Sequence, residues 1–159
     1  MKLNKQRRIE NKTNYKKRLI LLKGNSPRLV VRKTGRYILI QIIESKNAQD
    51  KVVHSVNTRD LLEHDWPKEK SGSLKSLPAS YLAGYLLGKK AKDIKKRLIL
   101  DTGLIPNTKG SRIYAAVKGI SDSGLKINFD EKVIPSKDRL EGKHSKLDSI
   151  FNKVKGGLK

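Results

Sequence analysis

The sequence predicts an α/β fold in which a mixed sheet, with elements in the order β-β-β-α-β-α, is covered by helices. Two observations support this class. Three β-rich segments follow one another closely after residue 27, and the later apolar segments alternate between helical and strand patterns. A chain of 159 residues suits one compact domain with short tails. We expect a basic arm at 1–27, a core domain at 28–127 and a C-terminal extension at 128–159.

The basic arm is predicted to contain a mobile tail over residues 1–12 and a short helix from Asn14 to Lys23. Thr13 is the candidate N-cap, and a Gly-Asn-Ser-Pro run at 24–27 ends the helix. Three apolar side chains fall on one helical face, at i, i+4 and i+7: Tyr15, Leu19 and Leu22.

Three strands follow the arm. The first covers residues 28–33 and the second covers 37–43, and the tight turn Thr34-Gly35 between them indicates a hairpin. A polar turn at 45–50 then leads to a third strand at 51–56. Consecutive strands joined by short turns predict an antiparallel meander.

The second half of the chain predicts three helices and one more strand. Pro78 opens a helix that runs to about Lys96, and Gly84 and Gly88 within it suggest close approach to another element. Residues 97–101 form a short apolar run typical of a central strand. A second helix covers 111–123. The third is a short amphipathic helix, with a possible cap at Ser145, that we expect to dock onto the domain or a partner; its pattern covers 145–155.

The charge distribution narrows the possible functions more than the predicted fold class does. The formal net charge is +22, and residues 1–36 hold seven lysines and six arginines against Glu10 alone. Such self-repulsion favours a polyanionic partner, either nucleic acid or an anionic membrane surface. Few large apolar residues precede Leu19, and no apolar run approaches the ~20 residues that span a bilayer, so nucleic acid is the better candidate.

The residue types that usually carry catalysis are sparse. The chain has no cysteine, which excludes disulfides and thiolate metal sites and is compatible with a reducing, cytoplasmic location. His54, His64 and His144 lack metal-helix spacing such as HExxH. Asp101 ends a predicted strand, but Glu44 is the only acid between Glu10 and Asp50, so a metal-dependent nuclease centre is poorly supported. We expect Asp101 to accept hydrogen bonds from a loop backbone or an arginine, and we expect no metal or cofactor.

Nucleic-acid contact is the function that the residues favour. The basic residues of the arm alternate with hydrogen-bonding side chains, and Tyr15 is placed either to stack on an unpaired base or to hold the arm helix to the core. Zinc-finger, basic-zipper and helix-turn-helix patterns are missing from the sequence, which favours RNA over DNA. Lys109, Ser111 and Arg112 at a predicted helix N-terminus suit one backbone phosphate.

Three stretches together resemble one family. They are RRIENKTNYKKRLILLKGNSPRLVVRKTGRYILIQII, LPASYLAGYLLGKKA and LILDTGLIPNTKGSRIYAAVKGISDSGLKI, followed by DRLEGKH at 138–144. Their order and motifs, over roughly residues 7–144, resemble large-subunit ribosomal protein L eighteen in its archaeal and eukaryotic form. Two places depart from the family pattern: Asn11 replaces a glycine, and residues 66–77 have a different spacing.

The resemblance implies a non-enzymatic, cytoplasmic constituent of the large ribosomal subunit. It implies that the chain binds 5S rRNA and attaches it to 23S rRNA in the central protuberance, beside neighbouring ribosomal proteins such as L five. Two other functions stay open: a nucleic-acid-processing enzyme that uses Asp101, and a general nucleic-acid-compacting protein. Carried over by motif or by position in the arm, the residues expected to face RNA are Arg7, Arg8, Lys12, Thr13, Tyr15, Lys16, Arg18, Arg28, Arg32, Lys33, Lys109, Ser111 and Arg112.

Overall fold

In the computed structural model, which describes residues 5–10, 12–47 and 49–158, four strands form one mixed sheet. The antiparallel meander consists of β1 (Arg28–Lys33), β2 (Ile38–Lys46) and β3 (Gln49–Asn57). After a helical crossover, β4 (Ile99–Asp101) pairs parallel to β1. The predicted α/β class and element order are confirmed.

Two strand predictions need correction. The hairpin of β2 and β3 extends to Lys46 and starts again at Gln49, so paired strand replaces much of the polar turn expected at 45–50. The run 97–101 was expected to be a central strand, but β4 has three residues and lies at the edge, in the order β3-β2-β1-β4. Since β2 already occupies one side of β1, a strand arriving later can pair only on the free side of β1.

The core lies on one face of this sheet. Leu29 and Val31 of β1 alternate with outward residues, and Ile38, Ile40 and Ile42 of β2 do the same; all five have no exposed side-chain surface. Two helices, α3 (Leu77–Lys90) and α4 (Arg112–Asp122), pack against each other, and their buried residues join these five in one core. Period-two burial in the strands therefore fixes which face meets the helices.

Helix α3 starts as predicted but ends earlier. The Ser76 side chain accepts a hydrogen bond from the Ala79 N–H at 3.4 Å, with Pro78 in the first turn. The helix ends at Lys90 rather than near Lys96, with the buried Ala91 as its C-cap, because the lysine-rich stretch after Ala91 offers only Ile94 for burial.

Small residues allow α3 and α4 to approach closely. A Cβ on Gly84 would lie 2.2 Å from the Ala116 carbonyl oxygen, and a Cβ on Gly119 would lie 2.1 Å from the Tyr81 carbonyl oxygen. Both distances are shorter than any real contact, so the two helix backbones touch where these glycines sit. The close approach expected from Gly84 and Gly88 is confirmed.

The C-terminal residues dock onto this helical layer. Two helices, α5 (Lys137–Glu141) and α6 (Asp148–Gly157), both contact α3. Phe151 and Val154 are buried, and the Phe151 ring centroid lies 5.4 Å from that of Tyr81. The amphipathic helix is confirmed and its apolar face is covered by the domain itself, although it begins at Asp148, so Ser145 is not its cap.

Within its described residues, the arm contains two helices, α1 (Gln6–Ile9) and α2 (Tyr15–Lys23). The cap of α2 is Asn14, whose side chain accepts a hydrogen bond from the Lys17 N–H at 3.0 Å, and not Thr13 as expected. The expected apolar face is also incomplete, since the Leu19 side chain is 56% exposed. The tail expected at 1–12 lies partly outside the described residues, as does the departure at Asn11.

Candidate nucleic-acid interface

The second face of the sheet carries arginines. In β1, Arg28, Val30 and Arg32 alternate with the buried core residues, so their side chains point away from α3 and α4. Asp101 is the register partner of Val30 and therefore lies on the same face. This face meets the basic arm.

An alternating chain of five charges joins the arm to the sheet. Arg28 donates to Asp101 Oδ2 at 3.0 Å and to Asp50 Oδ1 at 2.7 Å. Arg18 of α2 donates to Asp50 Oδ2 at 2.9 Å, and Arg32 donates to Asp101 Oδ1 at 3.0 Å. We call this set the arginine–aspartate chain. It connects α2 with β1, β3 and β4, so two carboxylates fix the positions of three guanidinium groups.

Both aspartates remain ionised well below neutral pH. Burial alone would raise the pKa of Asp101, but the Gly103 N–H hydrogen bond and the charges of Arg32 and Arg28 outweigh it, and the pKa lies below its ordinary value. Burial opposes ionisation of Asp50 too, yet hydrogen bonds from Ser45, Arg28 and Arg18 lower its pKa. The chain therefore carries three positive and two negative charges at neutral pH.

A lysine provides a second attachment for the arm. The Lys17 ammonium donates to the Gly103 carbonyl oxygen at 3.2 Å and to Thr102 Oγ1 at 3.4 Å, just after β4. Lys17 is missing from the residues predicted to contact RNA. Lys17 lies three residues after the cap Asn14, and its partners lie about 85 residues further along the chain. No local sequence signal therefore distinguishes it from the other lysines of the arm.

The arm and the loop after β4 enclose a groove of about 320 Å³, which we call the arm groove. A neighbouring hollow shares Thr13, Asn14 and Leu104 with it and adds three predicted contact residues, Arg8, Tyr15 and Lys16. The predicted contact residues that line the arm groove itself are Arg7, Lys12, Thr13, Arg18 and Arg32. The structure therefore brings eight of the thirteen predicted residues together.

Local contacts shape the inner wall of this site. Arg7 Nε donates to Thr13 Oγ1 at 3.0 Å, which orders the segment before α2. The Lys5 ammonium lies 4.6 Å from the centroid of the half-buried Tyr15 ring. This cation–π contact keeps the Tyr15 ring within the arm, beside Arg8 and Lys16.

The remaining predicted residues lie elsewhere. Arg28 was expected to face RNA, but its side chain is only 3% exposed and binds carboxylates, so it supports Arg18 and Arg32 from beneath. Lys33 is exposed at the end of β1. Lys109 and Arg112 are exposed on either side of Ser111, the N-cap residue of α4, and do not line the arm groove.

The geometry around Asp101 resolves its role. Its carboxylate accepts hydrogen bonds from Arg28, Arg32 and the Gly103 N–H, as the structural interpretation predicts. Within residues 5–10, 12–47 and 49–158, no three His, Asp or Glu side chains are grouped to hold a metal ion. None of the described helices has the length and apolarity to cross a membrane.

Comparison with known proteins agrees with this basic surface. Residues 1–98 match the family described as ribosomal large subunit proteins 60S L5 and 50S L18. The chain is 44% identical to large ribosomal subunit protein uL18 of Korarchaeum cryptofilum over 90% of its own length and 72% of that protein. It is 39% identical to uL18 of Methanoregula boonei, over 87% of the chain and 78% of that protein.

A third relative, uL18 of Caldivirga maquilingensis, is 44% identical over 90% of the chain and 68% of its own length. The resemblance drawn from the sequence motifs is confirmed, and the expectations of a structural, non-enzymatic role and of a place in the large subunit of the cytoplasmic ribosome are confirmed with it. The chain belongs to the family of large-subunit ribosomal proteins that comprises 60S L5 and 50S L18.

Proposed function

We propose that this ribosomal protein binds 5S rRNA and helps attach it to 23S rRNA in the central protuberance, next to proteins such as L five. The observation that supports this most is the arm groove, in which five predicted contact residues meet at one place. RNA is a polyanion, and clustered guanidinium and ammonium groups bind its phosphates by releasing counterions.

The arginine–aspartate chain makes this binding selective for the shape of the RNA. Arg18 and Arg32 are about one-third exposed, while the Arg28 between their carboxylate partners is buried. Arg18 and Arg32 are therefore held at fixed positions with donors still facing solvent. Guanidinium groups fixed in this way suit bidentate phosphate contacts, and a fixed spacing favours a folded RNA over a flexible one.

The N-terminus of α4 provides a separate contact in this proposal. Lys109 and Arg112 are exposed there, and the Ser111 hydroxyl is buried without a hydrogen-bond partner among the described residues. The first N–H groups of an α-helix and its dipole favour a negative group at this end. We assign these three residues to one phosphate outside the arm groove.

A matched pair of triple variants tests the arm surface. The test variant carries Arg8→Ala, Lys12→Ala and Lys16→Ala, and the control carries Lys68→Ala, Lys70→Ala and Lys132→Ala. All six side chains are exposed, so both variants lose three charges without loss of core packing. The dissociation constant for 5S rRNA is measured at several salt concentrations.

The proposal expects the arm variant to bind 5S rRNA more weakly than the wild type. The slope of its log affinity against log salt concentration should become shallower by about 2 to 3, because each lost phosphate contact removes about 0.7 to 0.9 from the slope. The control should keep the wild-type slope. Limited proteolysis provides a second readout, since RNA should slow cleavage within residues 5–23. Equal slopes for the two variants would reject the arm as the contact surface.

A further inference from the structure

A second basic surface follows α3, and none of its residues belongs to the set predicted to face RNA. Residues 89–97, KKAKDIKKR, hold six basic residues and one acid. Five of the basic side chains are exposed, and none of these five has a carboxylate partner within the part of the chain that the structure describes. They are Lys90, Lys92, Lys95, Lys96 and Arg97.

Strands β2 and β3 form one wall of a groove that includes Lys96 of this surface. Lys46 and Lys51 lie on the two strands of the hairpin and line, together with Lys96, a groove of about 590 Å³ that we call the lysine groove. Asn25 and Pro27, at the end of the arm, form another part of its wall. Two ammonium groups of one hairpin and a third from a segment distant in sequence therefore meet at one open groove.

The acids in this groove offset only part of the charge of these lysines, although Glu44 is the cross-strand register partner of Lys51. Asp50 lines the groove, but its carboxylate is already bound by Arg18, Arg28 and Ser45. Glu44 is exposed and is the other acid in the lining. The lining therefore keeps a net positive charge, which makes it a site for an anion.

The two grooves lie on opposite sides of one buried guanidinium. Arg28 donates through Nη2 to Asp50, which lines the lysine groove, and through Nη1 to Asp101, which lines the arm groove. Arg28 itself is buried between them. The two linings share no residue, so the grooves are suited to two separate stretches of polyanion.

We propose that the lysine groove binds the phosphate backbone of a second RNA segment, distinct from the one in the arm groove. This inference rests on the proposed function and adds the surface that holds the second RNA. An acidic protein is a weaker match, because protein interfaces are enriched in aromatic residues and depleted of lysine, whereas the described lining of this groove has three lysines and no aromatic side chain.

The test compares three triple variants of the full chain on two RNAs, 5S rRNA and a 23S rRNA transcript. The lysine-groove variant is Lys46→Ala, Lys51→Ala and Lys96→Ala. The arm variant and the control variant are those described above, so all three lose the same charge. Circular dichroism spectra check that each variant folds, and each dissociation constant is measured across a range of salt.

The lysine-groove variant is expected to lose at least tenfold in affinity for one of the two RNAs, and the arm variant to lose it for the other. A lysine-groove variant that matches the control on both RNAs overturns the inference, even if it loses binding to an acidic ribosomal protein. An equal loss of affinity for the same RNA by the lysine-groove variant and the arm variant also overturns the inference. If the wild type binds neither RNA, the proposed function fails along with the inference.

Discussion

Arg28 and Asp101 form a buried ion pair, with Arg28 Nη1 3.0 Å from Asp101 Oδ2 and side-chain exposures of 3% and 9%. The pair joins β1 to the edge strand β4, which has only three residues of its own. It also connects the sheet to the arm, since Arg28 shares Asp50 with Arg18. The stability of the fold and the geometry of the interface therefore depend on the same contact.

Asp101→Asn should destabilise the protein. The substitution removes one charge of a buried pair, and a change of this kind costs about 3 kcal/mol, at the low end here because Arg28 keeps Asp50 as a partner. Urea unfolding followed by circular dichroism measures the loss. Glu63→Gln, at an exposed position, removes the same charge and should leave the unfolding midpoint nearly unchanged. Equal midpoints for the two variants would contradict the structural role of Asp101.

The stability contributed by Asp101 should also depend on pH in one direction. Its pKa is lower in the folded protein than its ordinary value, so protons bind more readily to the unfolded state. The contribution is thus complete above the unfolded pKa of ~3.9 and is lost as pH falls below it. The unfolding free energies of wild type and Asp101→Asn should differ by a constant amount from pH 7 to about 5 and converge below about 4. If the difference in unfolding free energy grew below pH 4, the pKa of Asp101 would not be lowered in the folded protein.

Gly84→Ala should lower the stability of the fold more than an ordinary glycine substitution in a helix. The added methyl group would overlap the backbone of Ala116, and overpacking of this kind costs ~1–3 kcal/mol or more. The matched control is Gly156→Ala in α6, where the new Cβ meets nothing within 4 Å and should be neutral or slightly stabilising. Thermal unfolding of both variants compares them directly. A Gly84→Ala protein as stable as the control would contradict the contact between α3 and α4.

Phe151→Ala tests whether the C-terminal helix belongs to the core. Its ring is buried and packs against Tyr81, so its loss should cost ~3–5 kcal/mol. Asn152→Ala, at the next and exposed position, serves as the control. If Phe151→Ala instead leaves urea unfolding unchanged, α6 is not part of the cooperative unit.

The sequence predicts well what is decided locally. The hairpin of β1 and β2 follows from a Thr-Gly turn between β-branched segments, and α4 follows from its helical periodicity. Helix ends were less accurate: the lysine-rich run after Gly88 has high helical propensity, yet the helix ends at Lys90, because few side chains are buried beyond its C-cap Ala91. The edge position of β4 depends on which side of β1 is free, and local pattern contains no information about it.

For the interface too, the sequence predicted what is local and missed what depends on contacts between distant residues. Charge density located the arm, and seven of its predicted residues meet Arg32 of β1 in two adjoining hollows. The role of Arg28 could not be derived from sequence, because its partners Asp50 and Asp101 are 22 and 73 residues away. The lysine groove was missed for a similar reason: Lys46 and Lys51 belong to one hairpin, but Lys96 comes beside them only after the sheet has formed.

The most direct test of the account is a binding titration against 5S rRNA, a tRNA and duplex DNA at several salt concentrations. Electrostatic attraction alone weakens for all three as salt rises, whereas recognition by guanidinium groups at fixed positions depends on the shape of the RNA. The account predicts that 5S rRNA binds most tightly and that its advantage persists as salt increases. Equal affinities that decline together would show that the arm is a general polycation and would contradict the proposed recognition of 5S rRNA.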